Sequence, residues 1–246
     1  LFEFVENVDG TISWNSLENM SLKDRQSLIG DFDIFINAKA STKAAQYAKQ
    51  AGIKLRIGNS HRIPQWLYCN RLVNIKRKKS SAHEVELNAQ LLKPLLGKIK
   101  KNPQELFTYI RLNKSSAQKY KFSLPQNKIN IICHPASNGN GREWPVENFI
   151  SLIKLADPNK YQFILTGTKQ EKTITDQIEQ SCPQIINYAG KLSLANFIAL
   201  ISKVELLIAS GTGPLHIAAA IGTKTIGLFP PIETLDQKRW GPIFPW

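Results

Sequence analysis

Cysteine, histidine and acidic residues are all scarce in this chain, and each scarcity excludes something. The three cysteines, Cys69, Cys133 and Cys182, are odd in number, lie far apart and lack the close spacing of zinc ligands. A disulfide-stapled scaffold and a zinc module are therefore excluded, and a reduced, cytoplasmic setting is the simplest reading. No run approaches the roughly 18–20 apolar residues needed to span a bilayer, and no charged-then-apolar leader opens the chain. With 42% apolar residues over 246 positions, stability has to come from a buried core in one large or two modest domains. Only 19 Asp and Glu face 32 Lys and Arg, a formal net charge of +13. Solvated surface charge accounts for part of this. Attraction to a polyanion is the functional alternative, whether nucleic acid, an anionic membrane surface or an acidic glycolipid. The basic runs Lys76-Arg77-Lys78-Lys79 and Lys98-Ile99-Lys100-Lys101 stand beside no RNA-binding aromatic motif, zinc finger or helix-turn-helix signature, so no nucleic-acid partner is expected.

The chain does hold a strand–turn–helix signal of unusual density. Val204–Ala209 reads as a buried strand, Gly211-Thr212-Gly213-Pro214 breaks it, and a small-residue helix with His216 in its first turn runs to Ile221. Gly222 ends that helix, and Thr225–Phe229 reads as the next strand. A strand that turns through glycines into a helix aims backbone N–H groups and a positive dipole end at one point, which suits a phosphate.

Around that unit the sequence alternates strands and helices. Strands are expected at 32–37, 54–58, 129–133, 162–165 and 185–188, and helices near 41–51, 82–96, 145–156, 170–182 and 192–201. Such βα alternation makes parallel sheets covered by helices. The polar stretch 113–127 reads as a linker, which divides the chain into domains 1–124 and 125–246. The fold class is α/β with two Rossmann-like domains. The first domain is expected to be incomplete, because the chain opens with Leu1 inside an apolar run already under way.

Two further loops follow strands of the second domain and are natural neighbours of the glycine motif. One runs from His134 to Pro145 and carries Ser137, Gly139, Gly141 and Arg142; Gly139-x-Gly141 alone is no more telling than a plain loop. The other, Thr166–Glu171, places a carboxylate four residues after Gly167, where compensation of a helix dipole is as good a reading as ligand binding.

Gly-Thr-Gly-Pro-Leu-His-Ile-Ala-Ala-Ala over 211–220, the Ile226–Phe229 strand and Arg239-Trp240-Gly241-Pro242 together resemble the donor-site signature of the lipopolysaccharide heptosyltransferase family, glycosyltransferases of the GT-B type. The resemblance covers nearly the whole chain, most strongly 129–246. It implies an inverting, metal-independent transferase without cofactor, moving heptose or a related sugar from a nucleoside-diphosphate-sugar, ADP-heptose foremost, to an acidic lipopolysaccharide inner-core acceptor at the inner-membrane surface. It assigns Arg142 and His216 to the departing diphosphate, and Ser137, Glu171, Gly211, Thr212, Gly213 and Pro214 to the donor, with Glu171 on the ribose hydroxyls. Lys43 and Arg62 would face the acceptor. Two departures stand out. Gly211 replaces the family's Asp in Asp-Ser/Thr-Gly-Pro-x-His, which weakens the reading of the sugar. Asn37 and Lys39 replace an Asp and a Gln in the family's Asp-x-Gln-Gly-x-x-Lys segment. The family's catalytic base is an Asp in a Gly-Asp loop after the first strand; neither Asp31 nor Asp33 has that context. The resemblance thus implies a fragment lacking about 40–60 N-terminal residues and a C-terminal tail, inactive alone. The alternatives are another GT-B transferase with a different nucleotide-sugar, or a degenerate, non-catalytic nucleotide-sugar-binding module.

Overall fold

The computed structural model describes residues 5, 7–77, 80–99, 112, 121–137, 143–232 and 235–243. The chain divides into two compact units, one of residues 9–103 and one of residues 1–8 with 104–246. The boundary drawn from sequence at 124/125 falls later than this. Val5 forms an antiparallel bridge with Leu112, and both pack on the core of the larger unit.

The smaller unit opens with helices α1 (Trp14–Asn19) and α2 (Leu22–Ile29), followed by β1 (Ile34–Ile36), α3 (Thr42–Gln50), β2 (Leu55–Asn59), α4 (Ile63–Tyr68) and β3 (Arg71–Val73). Helices α5 (Glu84–Ala89) and α6 (Lys93–Leu96) follow, with a short 3₁₀ turn between them. The three strands form a parallel sheet in the order β1-β2-β3, with Ile34 opposite Leu55 and Ile57 opposite Arg71. Helix α3 starts where Ser41 caps it, its hydroxyl accepting the Ala44 N–H at 3.2 Å, and it buries Ala45 and Ala48. The core is small: Ile57, Val73, Ile75, Leu87 and Leu91. Sequence patterning placed β1, α3 and β2, but read 82–96 as one helix. Pro94 and the 3₁₀ turn at Gln90–Leu92 divide that helix in two.

In the larger unit the order is β4 (Ile129–His134), α7 (Val146–Leu155), β5 (Tyr161–Leu165), α8 (Lys172–Ser181), β6 (Ile186–Asn187) and α9 (Leu194–Ile201). Then come β7 (Leu206–Ser210), α10 (Gly213–Ile221), β8 (Lys224–Leu228) and α11 (Gln237–Trp240). Its five strands are all parallel, in the order β6-β5-β4-β7-β8. Alternation along the strands fills both faces. Ile132, Ile164 and Leu207 point into a cluster with Ile198, Leu200, Leu215 and Ala218 of α9 and α10. Ile131, Cys133, Phe163 and Leu165 point the other way, onto Phe149 and Ile153 of α7 and Ile178 of α8. A sheet covered on both faces needs strands that are largely apolar, which is how β4, β5 and β7 read apart from Asn130, Gln162 and the strand-end His134 and Ser210. The chain starts at central β4, builds outward to β6, then returns to the far side of β4 with β7 and β8. The strand order therefore reverses between β4 and β7, and such a reversal opens a crevice at the carboxyl ends of the strands.

Candidate functional site

A cavity of about 440 Å³ lies at that crevice, wholly within the larger unit. Four strand-end loops line it: His134, Ala136 and Ser137 after β4; Thr166, Gly167, Thr168 and Glu171 after β5; Leu192, Ser193, Leu194 and Phe197 around the start of α9; and Thr212, Gly213, Pro214 and Ile217 after β7. Sequence reasoning brought three of these loops together. The fourth, at α9, it passed over.

Glu171 is the polar anchor. It is buried at the residue preceding α8, and its Oε2 accepts the Thr168 N–H at 2.7 Å. Its own N–H donates to the Thr168 carbonyl at 3.2 Å, so residues 168–171 close into a small ring of bonds. Among the described residues no hydrogen bond is made to Glu171 Oε1. The carboxylate serves the loop and the cavity, and does not cap the helix.

His134 is a residue the sequence did not single out. It ends β4, its Nδ1 lies 3.0 Å from the Thr166 hydroxyl, and its Nε2 lies 3.9 Å from Glu171 Oε2. Burial pushes its pKa below 6.5, and the Glu171 charge pulls the other way. The imidazole is thus held neutral against a carboxylate. A signal for His134 and Thr166 was present in principle: both stand at the carboxyl end of a central parallel strand, where ligands bind. Phe197, whose ring sits 5.8 Å from the His134 ring, gives the cavity an apolar wall together with Leu192, Leu194 and Ile217.

Ser137 lines the cavity, is buried, and is fastened by Glu143. Its N–H and its hydroxyl both donate to Glu143 Oε1, at 2.6 and 2.9 Å. Arg142, together with Gly139 and Gly141, lies outside the described residues.

The glycine motif is more occupied than its sequence suggests. The Gly211 N–H donates to the Leu228 carbonyl, the Thr212 N–H to Ser210, and the Leu215 and His216 N–H groups to Thr212. Pro214 has no N–H, so among 211–216 the Gly213 amide alone is left for a ligand. Thr212, Gly213 and Pro214 line the cavity; Gly211 and His216 do not, and His216 is exposed. A bare turn of open amides is therefore corrected to one amide at the start of α10. No Lys or Arg is found among the described residues lining the cavity.

Gly211 has a packing reason. A Cβ there would run into the Phe229 ring, and one at Gly227 would come within 2.6 Å of the ring's opposite edge and 2.8 Å of Leu215 Cδ2. Phe229 fills the space where a side chain at 211 would start.

In the smaller unit Lys43 Nζ pairs with Glu18 at 2.5 Å, both partly exposed, and Arg62 is exposed ahead of α4. Asn37 departs from an Asp for a visible reason. Its amide donates to the Ser41 carbonyl at 2.8 Å and to Gln65 Oε1 at 2.7 Å, and its Oδ1 accepts the Ser41 N–H at 3.0 Å. A carboxylate cannot make the two donations. Asp31-Phe32-Asp33 spells an Asp-x-Asp triplet but precedes β1, at the strand's amino end, away from where α/β sheets bind ligands. Among the described residues no group of three or more His, Cys, Asp or Glu is placed to hold a metal ion.

A parallel five-stranded sheet with a ligand-sized cavity at its strand reversal defines a Rossmann-like unit, here one of two α/β units in a GT-B chain. The profile of glycosyltransferase family 9 (heptosyltransferase) matches residues 22–245, and the chain belongs to that family. It is 27% identical over 232 residues to the lipopolysaccharide core heptosyltransferase OpsX of Haemophilus influenzae, covering 90% of this chain and 62% of that one. The chain thus spans less than two thirds of that relative's length. Among solved structures, E. coli ADP-heptose lps heptosyltransferase II superposes with a TM-score of 0.71 at 22% identity, over 92% of this chain and 71% of that one. E. coli heptosyltransferase WaaC with ADP gives 0.64 at 20% identity, over 94% and 72%.

Proposed function

We propose that the larger unit binds the nucleoside-diphosphate-sugar donor of a heptosyltransferase, ADP-heptose, and that the smaller unit serves a lipopolysaccharide inner-core acceptor. The observation that carries this is the cavity at the strand reversal, lined by Glu171, whose Oε1 takes no hydrogen bond among the described residues. A carboxylate there accepts hydrogen bonds from ribose hydroxyls. The wall of Leu192, Leu194, Phe197 and Ile217 suits a flat base. The Gly213 amide and the positive end of α10 favour the diphosphate, and Arg142 supplies the cation that the described lining lacks. His216 assists on the exposed side of the same turn, and Ser137, held by Glu143, contributes its hydroxyl. Lys43 and Arg62 attract the acidic acceptor.

Transfer with inversion needs the acceptor hydroxyl deprotonated as it attacks the anomeric carbon, and the diphosphate stabilised as it leaves. The residues above serve the second requirement without a metal. Asp31 and Asp33, at the amino end of β1, are not placed for the first. The 246-residue chain is therefore expected to bind donor and to turn it over negligibly. The support for ADP is its presence with the related E. coli enzyme.

Titration calorimetry of the 246-residue chain with ADP and UDP tests the reading. ADP should bind more tightly than UDP, and Glu171→Ala should weaken ADP by about tenfold to a hundredfold, as loss of hydrogen bonds to a charged group does. Absence of nucleotide binding, or a Glu171→Ala variant that binds ADP unchanged, contradicts it.

A further inference from the structure

Ser137 aims two donors at one place. Its backbone N–H and its hydroxyl converge on a single oxygen, Glu143 Oε1, at 2.6 and 2.9 Å. Such distances are those of charge-assisted bonds. The serine is 3% exposed, follows β4 at the carboxyl end of a central strand, and lines the cavity. An N–H and a hydroxyl directed at one anionic oxygen would serve a phosphate oxygen equally well.

The present occupant has the wrong sign to assist an anion. The described lining of the cavity already includes the carboxylate of Glu171 and no Lys or Arg. A second carboxylate seated on Ser137 engages both donors and repels an incoming diphosphate. Glu143 is nonetheless only half-buried, and rotation about its side-chain bonds can carry the carboxylate into solvent.

We propose that Ser137 is an anion subsite of this cavity and that Glu143 is its built-in competitor, which a phosphate oxygen of the nucleotide displaces. The apparent affinity is then the intrinsic affinity multiplied by the fraction of molecules in which Ser137 is open. With two charge-assisted bonds holding the closed arrangement, that fraction is roughly a tenth or less. Glu143 therefore sets the concentration at which a phosphate-bearing ligand enters, and leaves a ligand without phosphate unaffected. A carboxylate that merely braced Ser137 would act with the opposite sign: removing it would loosen the serine and weaken binding. The proposal rests on the donor reading for the identity of the displacing anion.

The test is calorimetric titration of the 246-residue chain, Glu143→Gln and Glu143→Ala, each with ADP and with adenosine. Glutamine keeps the shape of the side chain and a neutral acceptor, so this variant should retain the wild-type circular dichroism and melting curve. ADP should bind about tenfold more tightly to Glu143→Ala and by about half that factor to Glu143→Gln, while adenosine binds all three proteins alike. Two results overturn the proposal and leave the donor reading standing: ADP bound by the wild type at least as tightly as by both folded variants, or a tightening that adenosine shares in full. Absence of ADP binding by all three proteins overturns both.

Discussion

The two units of this chain use one architecture to different ends. The larger covers its five-stranded sheet on both faces, with clusters around Ile132, Ile164 and Leu207 on one side and Phe149, Phe163 and Leu165 on the other. The smaller carries three strands over one modest core of five fully described buried residues, and leaves Phe32, Ile34, Ile63, Trp66 and Leu67 exposed. Charge divides in the same way: residues 9–103 hold seventeen Lys and Arg against seven Asp and Glu, the rest of the chain fifteen against twelve. The well-packed, nearly neutral unit can fix a cavity to fractions of an ångström. The thinly packed, cationic one is suited to contact with large acidic surfaces, where charge and exposed apolar area count for more than a shaped pocket.

Breaking the two cores separately should separate these roles. Leu207→Ala, at a fully buried position of β7, should cost about 2–5 kcal/mol and remove any ADP-induced rise in melting temperature. Ile57→Ala in β2 should cost a similar amount, yet leave the ADP-responsive transition in place. Differential scanning calorimetry with and without ADP reads both. If Ile57→Ala also abolishes the ADP response, the division of labour is wrong. Next in size, Gly211→Asp restores the family's carboxylate but displaces the Phe229 ring, at about 1–3 kcal/mol by chemical denaturation. Pairing it with Phe229→Ala should recover part of the loss, since the same space is then vacant.

One pH response belongs to the larger unit. His134 has its pKa lowered in the folded state, chiefly by burial, so between that value and 6.5 the unfolded chain takes up a proton that the native chain refuses. The stability tied to this group is complete above pH 6.5 and declines as pH falls below it. Urea melts of the wild type and of His134→Asn over that window should show the slope in the wild type and its loss in the variant. The smallest effect is a null result. Burial pushes the Cys133 thiol up to about 12, and the side chain is fully enclosed, so it should resist alkylation at pH 8 until the larger unit unfolds.

Much of this was legible in the residues. Apolar runs at 129–133, 162–165 and 204–209 marked central strands because a doubly covered sheet demands them, and Gly222 marked a helix end that the left-handed backbone there confirms (φ 85°). The family was legible in 211–220 and 239–242. Bonding within the turn was not. That the Leu228 carbonyl would occupy the Gly211 amide, and that Phe229 would cover Gly211, depend on register between β7 and β8, which spacing along one chain does not reveal. The His134–Thr166–Glu171 grouping also needed the sheet, since its members come together only when β4 and β5 pair. Helix α4 was hidden for the opposite reason: with its glutamine inside and its tryptophan outside, it contradicts the pattern by which helices are found.

Hydrogen–deuterium exchange of the 246-residue chain with and without saturating ADP tests the central claim most directly. Slowed exchange should appear in the four loops around residues 134–137, 166–171, 192–197 and 212–217, and residues 34–77 should be unaffected. Protection confined to the smaller unit, or no change in those four loops at saturation, would contradict the account.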